Sequence, residues 1–146
     1  MAVEVSKATA KVLGGTKIEC SARDHKFILD EPKNLGGTDE GMTPIEATLA
    51  SLGACKCIVS QFFAKSKGVK YDELRVEVEG DLDSDGFMGK NPDAKIGLSE
   101  IRTKFYIKSD SPKEKIEELV AFIDKTCPVA DTIANPADLK TDIVIE

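Results

Sequence analysis

Four cysteines stand at positions 20, 55, 57 and 127, and each thiol is a candidate nucleophile, redox centre or metal ligand. Cys127 is followed by Pro128. Proline disfavours helical geometry in the residue before it but suits the first turn of a helix. Cys127 is therefore expected at the N-terminal edge of a short helix running from Pro128 to about Ala134. Free backbone N–H groups and the helix dipole favour an anion there, so a thiol at that edge tends toward a lowered pKa and raised reactivity. A buried cysteine that closes the preceding helix is the other reading of the same residues.

Cys55 and Cys57 lie in one apolar stretch, two positions apart. On a helix they point roughly 200° apart and cannot easily form a disulfide with each other. Their Cys-x-Cys spacing is not the redox Cys-x-x-Cys, and core packing is the plain reading of either. Cys20, in an expected strand, reads as a small packed residue or an incidental surface thiol. His25 stands at a turn beside Arg23 and Asp24, where a histidine is ordinarily solvated. A zinc site needs more ligands than these residues assemble, unless thiolates such as Cys57 gather across a dimer.

Glu46 has a structural role open to it as the third residue of a capping box begun by Thr43. It precedes Cys55 by nine residues, which on an ideal helix is roughly 180° around and about 13.5 Å along. The two cannot meet within one helix, so any pairing of Glu46 with Cys55 calls for a second chain. Asp81, Asp83, Asp85 and Gly86 match the opening of a calcium loop, but Pro92 occupies the twelfth position, and an acidic connection between strands is the better reading.

These residues need elements to hold them. Strand-like runs at Val3 to Leu13, Lys17 to Ala22 and Lys26 to Asp30, broken by Gly14-Gly15 and Arg23-Asp24-His25, predict an antiparallel meander. A glycine-rich loop, Glu31 to Gly41, leads to Thr43-Pro44-Ile45-Glu46, which predicts a helix from Pro44 to about Lys67 ended by Gly68. Its small residues Ala47, Ala50, Ser51, Gly53 and Ala54 allow close approach of another backbone. Leu74 to Val78 and Ile101 to Ile107 read as strands. Ser111-Pro112-Lys113-Glu114 repeats the capping signature before an amphipathic helix carrying Ile116, Leu119, Val120 and Ile123. Leu139 to Ile145 is expected to close the chain as a strand.

At 146 residues and 41% hydrophobic, the chain suits a single domain, 1–146, with one core. A net charge of -6 argues against nucleic acid or an anionic membrane as partner. No basic start followed by an apolar block marks residues 1–11, so the expected location is cytoplasmic. Lys56, Ser60, Gln61 and Gly53 interrupt the apolar stretch from Ala47 to Ala64, which reads as a buried helix and not as a membrane span.

Asp30-Glu31-Pro32 with Leu35-Gly36-Gly37-Thr38-Asp39, then Thr43-Pro44-Ile45-Glu46 through Ala50-Ser51-Leu52-Gly53-Ala54-Cys55, and finally Cys127-Pro128-Val129, together resemble the OsmC/Ohr proteins over nearly the whole chain. The resemblance implies an α+β, OsmC-like fold in which antiparallel sheets wrap two long central helices of an intertwined homodimer, with thiol sites where the subunits meet. It implies thiol-dependent reduction of organic hydroperoxides. Cys55 would attack a small organic hydroperoxide and become a sulfenic acid, Cys127 would resolve it as a disulfide, and a dithiol reductant would restore both. No cofactor and no metal are implied.

In the peroxidase members an arginine held by a glutamate supports the thiolate. The matching glutamate position here is Ile45, with Glu46 next to it, and the matching arginine positions hold Thr16 and Leu35. Glu46 and Arg23 are the expected substitutes, completing a catalytic set with Cys55 and Cys127, with a lysine as the alternative to Arg23 for stabilising the thiolate. The departures also support a second reading, a non-catalytic redox-sensing or small-ligand-binding protein without the activating arginine.

Overall fold

The structure, a computed structural model, describes residues 2–146. It has an α+β architecture with two compact units, one reaching Leu49 and the other comprising Ala50–Glu146. The first unit holds an antiparallel sheet of β1 (Thr9–Gly14), β2 (Lys17–Ala22) and β3 (His25–Leu29) in that order. Gly14-Gly15 makes the first turn, with Gly15 at φ 53, and Arg23 takes φ 54 in the second. The expected first strand is shortened at its start. Thr9 pairs with Ser21 near the end of β2, so residues 3–8 run past the last available partner and form no ladder.

The loop after β3 is organised around the buried Asp30. Its carboxylate accepts hydrogen bonds from Thr16 Oγ1 at 2.7 Å, Glu31 N at 2.8 Å, Thr38 N at 3.1 Å, Thr38 Oγ1 at 2.5 Å and Glu40 N at 3.3 Å. The Thr38 and Thr16 hydroxyls, ahead of the backbone donors, hold this carboxyl well below the usual range. The loop passes its neighbours too closely for side chains at two glycines. A Cβ on Gly37 would lie 1.8 Å from the Glu31 carbonyl oxygen, and one on Gly41 would lie 2.2 Å from that of Ile28.

Helix α1 (Pro44–Phe63) begins with the capping box expected from its residue types. The Thr43 N–H donates to Glu46 Oε2 at 2.8 Å, and the Glu46 N–H donates to Thr43 Oγ1 at 3.2 Å. The regular helix ends four residues earlier than Lys67, but Gly68 still terminates it. With Gly68 at φ 72, its N–H donates to Lys65 O at 3.1 Å and that of Val69 to Ala64 O at 2.9 Å, the two bonds of a Schellman motif.

In the second unit β4 (Glu73–Asp81) pairs antiparallel with β5 (Glu100–Lys108), joined by a loop containing the one-turn helix α2 (Ser84–Phe87). Asp83 caps α2 and Asp81 is held by Arg102 at 2.8 Å, so the acidic run serves local structure. Gly53 lets α1 lie directly on β4, since a Cβ there would sit 3.2 Å from Val78 Cγ2.

Helix α3 (Lys113–Thr126) starts after Pro112 without a side-chain cap, contrary to the box expected from Ser111. The Ser111 hydroxyl instead accepts from Lys70 N at 2.9 Å and donates to Lys70 O at 3.1 Å. A tertiary partner has claimed the group that the local pattern assigned to the helix. Leu119 and Ile123 of α3 are completely buried in a core with Leu52, Val59, Ala64, Val69 and Cys127, and Phe63 meets Phe122 edge to face at 5.0 Å.

After the short helix α4 (Pro128–Ala134) the chain forms no further strand. Residues Leu139 to Ile145, expected as one, lie open with Leu139 at 96% exposure. A strand exists only by pairing, and these residues have no ladder partner among the described residues. Among the described residues no helix is long and apolar enough to cross a membrane.

Candidate functional site

Cys127 occupies the junction that its proline neighbour predicts. It closes α3 by donating its N–H to Ile123 O at 2.9 Å, and its extended backbone, φ -69 and ψ 112, opens α4 as the N-cap. The sulfur accepts from Ala130 N at 3.4 Å and is completely buried.

Cys55 lies on the face of α1 that packs against this junction. It packs against the core cluster that contains Cys127, and both Cys127 and the backbone N–H of Val129 act on its thiol. Pro128 has no N–H to give; of the amides that follow it, that of Ala130 donates to the Cys127 sulfur and that of Val129 acts on the Cys55 thiol. Cys57 faces the other way, toward Val76 of β4, as helical geometry requires. Cys20 lies in β2 opposite Phe27.

Burial is the largest influence on the Cys55 thiol and pushes its pKa above the ordinary value of 9.0. The Val129 N–H favours the thiolate and works against burial. Cys127 then adds to the upward push, while Lys56 pulls down. Burial likewise raises Cys57. Cys55 is only partly buried whereas Cys127 has no exposed surface, so an oxidant arriving from solvent reaches Cys55 first. A sulfenic acid formed there would have a second thiol in the same core cluster, as condensation to a disulfide requires.

Of the other two expected site residues, Glu46 has a visible local role. Glu46 gives its carboxylate to the Thr43 N–H in the capping box. Arg23 is exposed in the turn between β2 and β3.

Two residues that the sequence reading did not assign to the site stand beside it. Lys56 is 4% exposed and its ammonium pairs with Asp124 Oδ1 at 2.5 Å. The signal was available, because Lys56 is the only charge between Ala47 and Ala64, and a charge in a buried helix face needs a partner.

The profile of the OsmC-like protein family matches residues 37–142. A hydroperoxide reductase of Mycoplasma genitalium is 27% identical over 94% of this chain and 92% of its own length. A hydroperoxide reductase of Mycoplasma pneumoniae is 29% identical over 73% of this chain and 72% of its own. The crystal structure of an OsmC like protein from Mycoplasma pneumoniae superposes with a TM-score of 0.79 at 26% identity, covering 91% of this chain and 89% of that one.

Proposed function

Since the chain belongs to the OsmC-like protein family, we propose that it reduces small organic hydroperoxides through Cys55 and Cys127. The packing of Cys55 against the core cluster that contains Cys127 is the observation that carries this reading, and the two relatives named hydroperoxide reductase support it. The Cys55 thiolate attacks one peroxide oxygen, the O–O bond breaks, and the leaving alkoxide takes up a proton as the alcohol. Cys55 is then a sulfenic acid. Cys127 attacks that sulfur, water leaves, and the disulfide forms. An external dithiol, itself oxidised, returns both cysteines to thiols, so the cycle consumes one dithiol per hydroperoxide and needs no cofactor.

The working form on this reading is a cytoplasmic homodimer. Support comes from apolar side chains that the single chain leaves exposed on α1, Ile58 and Phe62, and along the C-terminal segment, Leu139 and Ile143 to Ile145. A second copy would cover them and give the terminal segment a strand to pair with.

One observation favours the non-catalytic alternative. The Cys55 thiol is held above its ordinary pKa, so little thiolate exists at neutral pH without further activation. A coupled assay with cumene hydroperoxide and a dithiol separates the readings. Turnover that is lost in both Cys55→Ser and Cys127→Ser supports the two-cysteine cycle, and absence of turnover in the wild-type protein supports a sensing or binding role.

A further inference from the structure

Lys56 follows Cys55 directly in α1, and Asp124 stands one turn before Cys127 in α3. The thiol pair and the ion pair therefore belong to one helix contact, with neighbouring residues of α1 matched to Cys127 and Asp124. The Lys56 side chain is 5% exposed and that of Asp124 51%. The ammonium also lies 5.9 Å from the centre of the Phe105 ring, so it is enclosed by α3 on one side and β5 on another. Charges interact strongly in such surroundings because little water is present to screen them.

We propose that Lys56 is a positioning residue for the Cys55 thiolate, its buried ammonium supplying positive charge beside that sulfur while Asp124 sets how much of the charge the sulfur feels. This rests on Cys55 being the reacting thiol, as read above. The groups that act on its sulfur are Lys56 from α1, with Cys127 and the Val129 N–H from the α3–α4 junction. Asp124 acts from behind Lys56, and Phe105 brings no titratable group. In the resting protein the carboxylate cancels much of the ammonium's field. Whatever weakens the Asp124 contact leaves that field to the sulfur and raises the thiolate fraction. Lys56 and Asp124 thus act in opposite directions on one thiol, which a simple structural clamp would not do.

The test follows the rate of Cys55 alkylation by iodoacetamide against pH, resolved by peptide mass spectrometry, in wild type, Asp124→Asn, Lys56→Met and Lys56→Arg. Asp124→Asn is expected to lower the midpoint and Lys56→Met to raise it, each by on the order of one pH unit, with Lys56→Arg close to wild type. Shifts of the same sign in Asp124→Asn and Lys56→Met, or none, would overturn the proposal. Should Lys56→Met fail to fold, an unmoved or raised midpoint in Asp124→Asn overturns it alone. No hydroperoxide enters this measurement, so a wild-type protein without peroxide turnover defeats the functional reading while these midpoints still decide the role of Lys56.

Discussion

Cys55 on α1 packs against the core cluster that contains Cys127 of the α3–α4 junction, although the two cysteines lie far apart in the sequence. The contact makes a definite cross-link the expected product of oxidation. One equivalent of cumene hydroperoxide, followed by digestion without reductant, should yield a peptide pair joined through Cys55 and Cys127. Cys127→Ser should leave Cys55 as a sulfenic acid, trapped by dimedone and progressing to sulfinic acid with excess peroxide. A dominant link through Cys20 or Cys57 would show that the contact is not the redox pair.

The pH dependence of Cys55 follows from its surroundings. Burial, opposed by the Val129 N–H, holds the thiol pKa above its ordinary 9.0. The thiolate is the nucleophile, so alkylation of Cys55 should climb about tenfold per pH unit through neutral and mildly alkaline solution, with no plateau below pH 9. A plateau near pH 7 would mean that another charge activates the thiol.

Asp30 should couple loop order to acidity. Its carboxyl pKa is depressed below the ordinary 3.8, first by the Thr38 hydroxyl and then by that of Thr16. For a depressed carboxyl, the stabilisation is complete well above the unfolded-state pKa and is lost as pH falls through the folded one. Asp30→Asn should therefore melt at a lower temperature than wild type at neutral pH, with the difference shrinking in acid. A difference that grows as pH falls would contradict this assignment.

Glu46 and Thr43 share a capping box, and substitutions there test that role against a catalytic one. Thr43→Ala should cost about 1 kcal/mol of stability. Glu46→Gln keeps an acceptor for the Thr43 N–H and should leave both stability and hydroperoxide turnover near wild type. If Glu46→Gln abolishes turnover while melting normally, the carboxylate has a chemical role beyond the cap.

Leu119 is completely buried in the core that contains Cys127. Leu119→Ala should destabilise by about 2 to 5 kcal/mol through lost burial and the cavity left behind, read as a lower denaturant midpoint. A loss below about 1 kcal/mol would mean that α3 repacks readily onto α1 and β5.

Local residue chemistry determined much of this protein. Thr43, Pro44 and Glu46 specify a helix start through bonds closed within four residues, Gly68 ends that helix through a left-handed backbone, and Pro128 forces Cys127 to divide two helices. Such features lie open in the sequence because their partners are neighbours in the chain. Tertiary structure decided the rest. Ser111 was drawn away from its cap by Lys70, and Leu139 to Ile145 formed no strand where no ladder was available. The Cys55–Cys127 contact and the Lys56–Asp124 pair exist only because α1 and α3 pack together. Periodicity shows which face of a helix is apolar, but it does not say which residue of another helix will meet it.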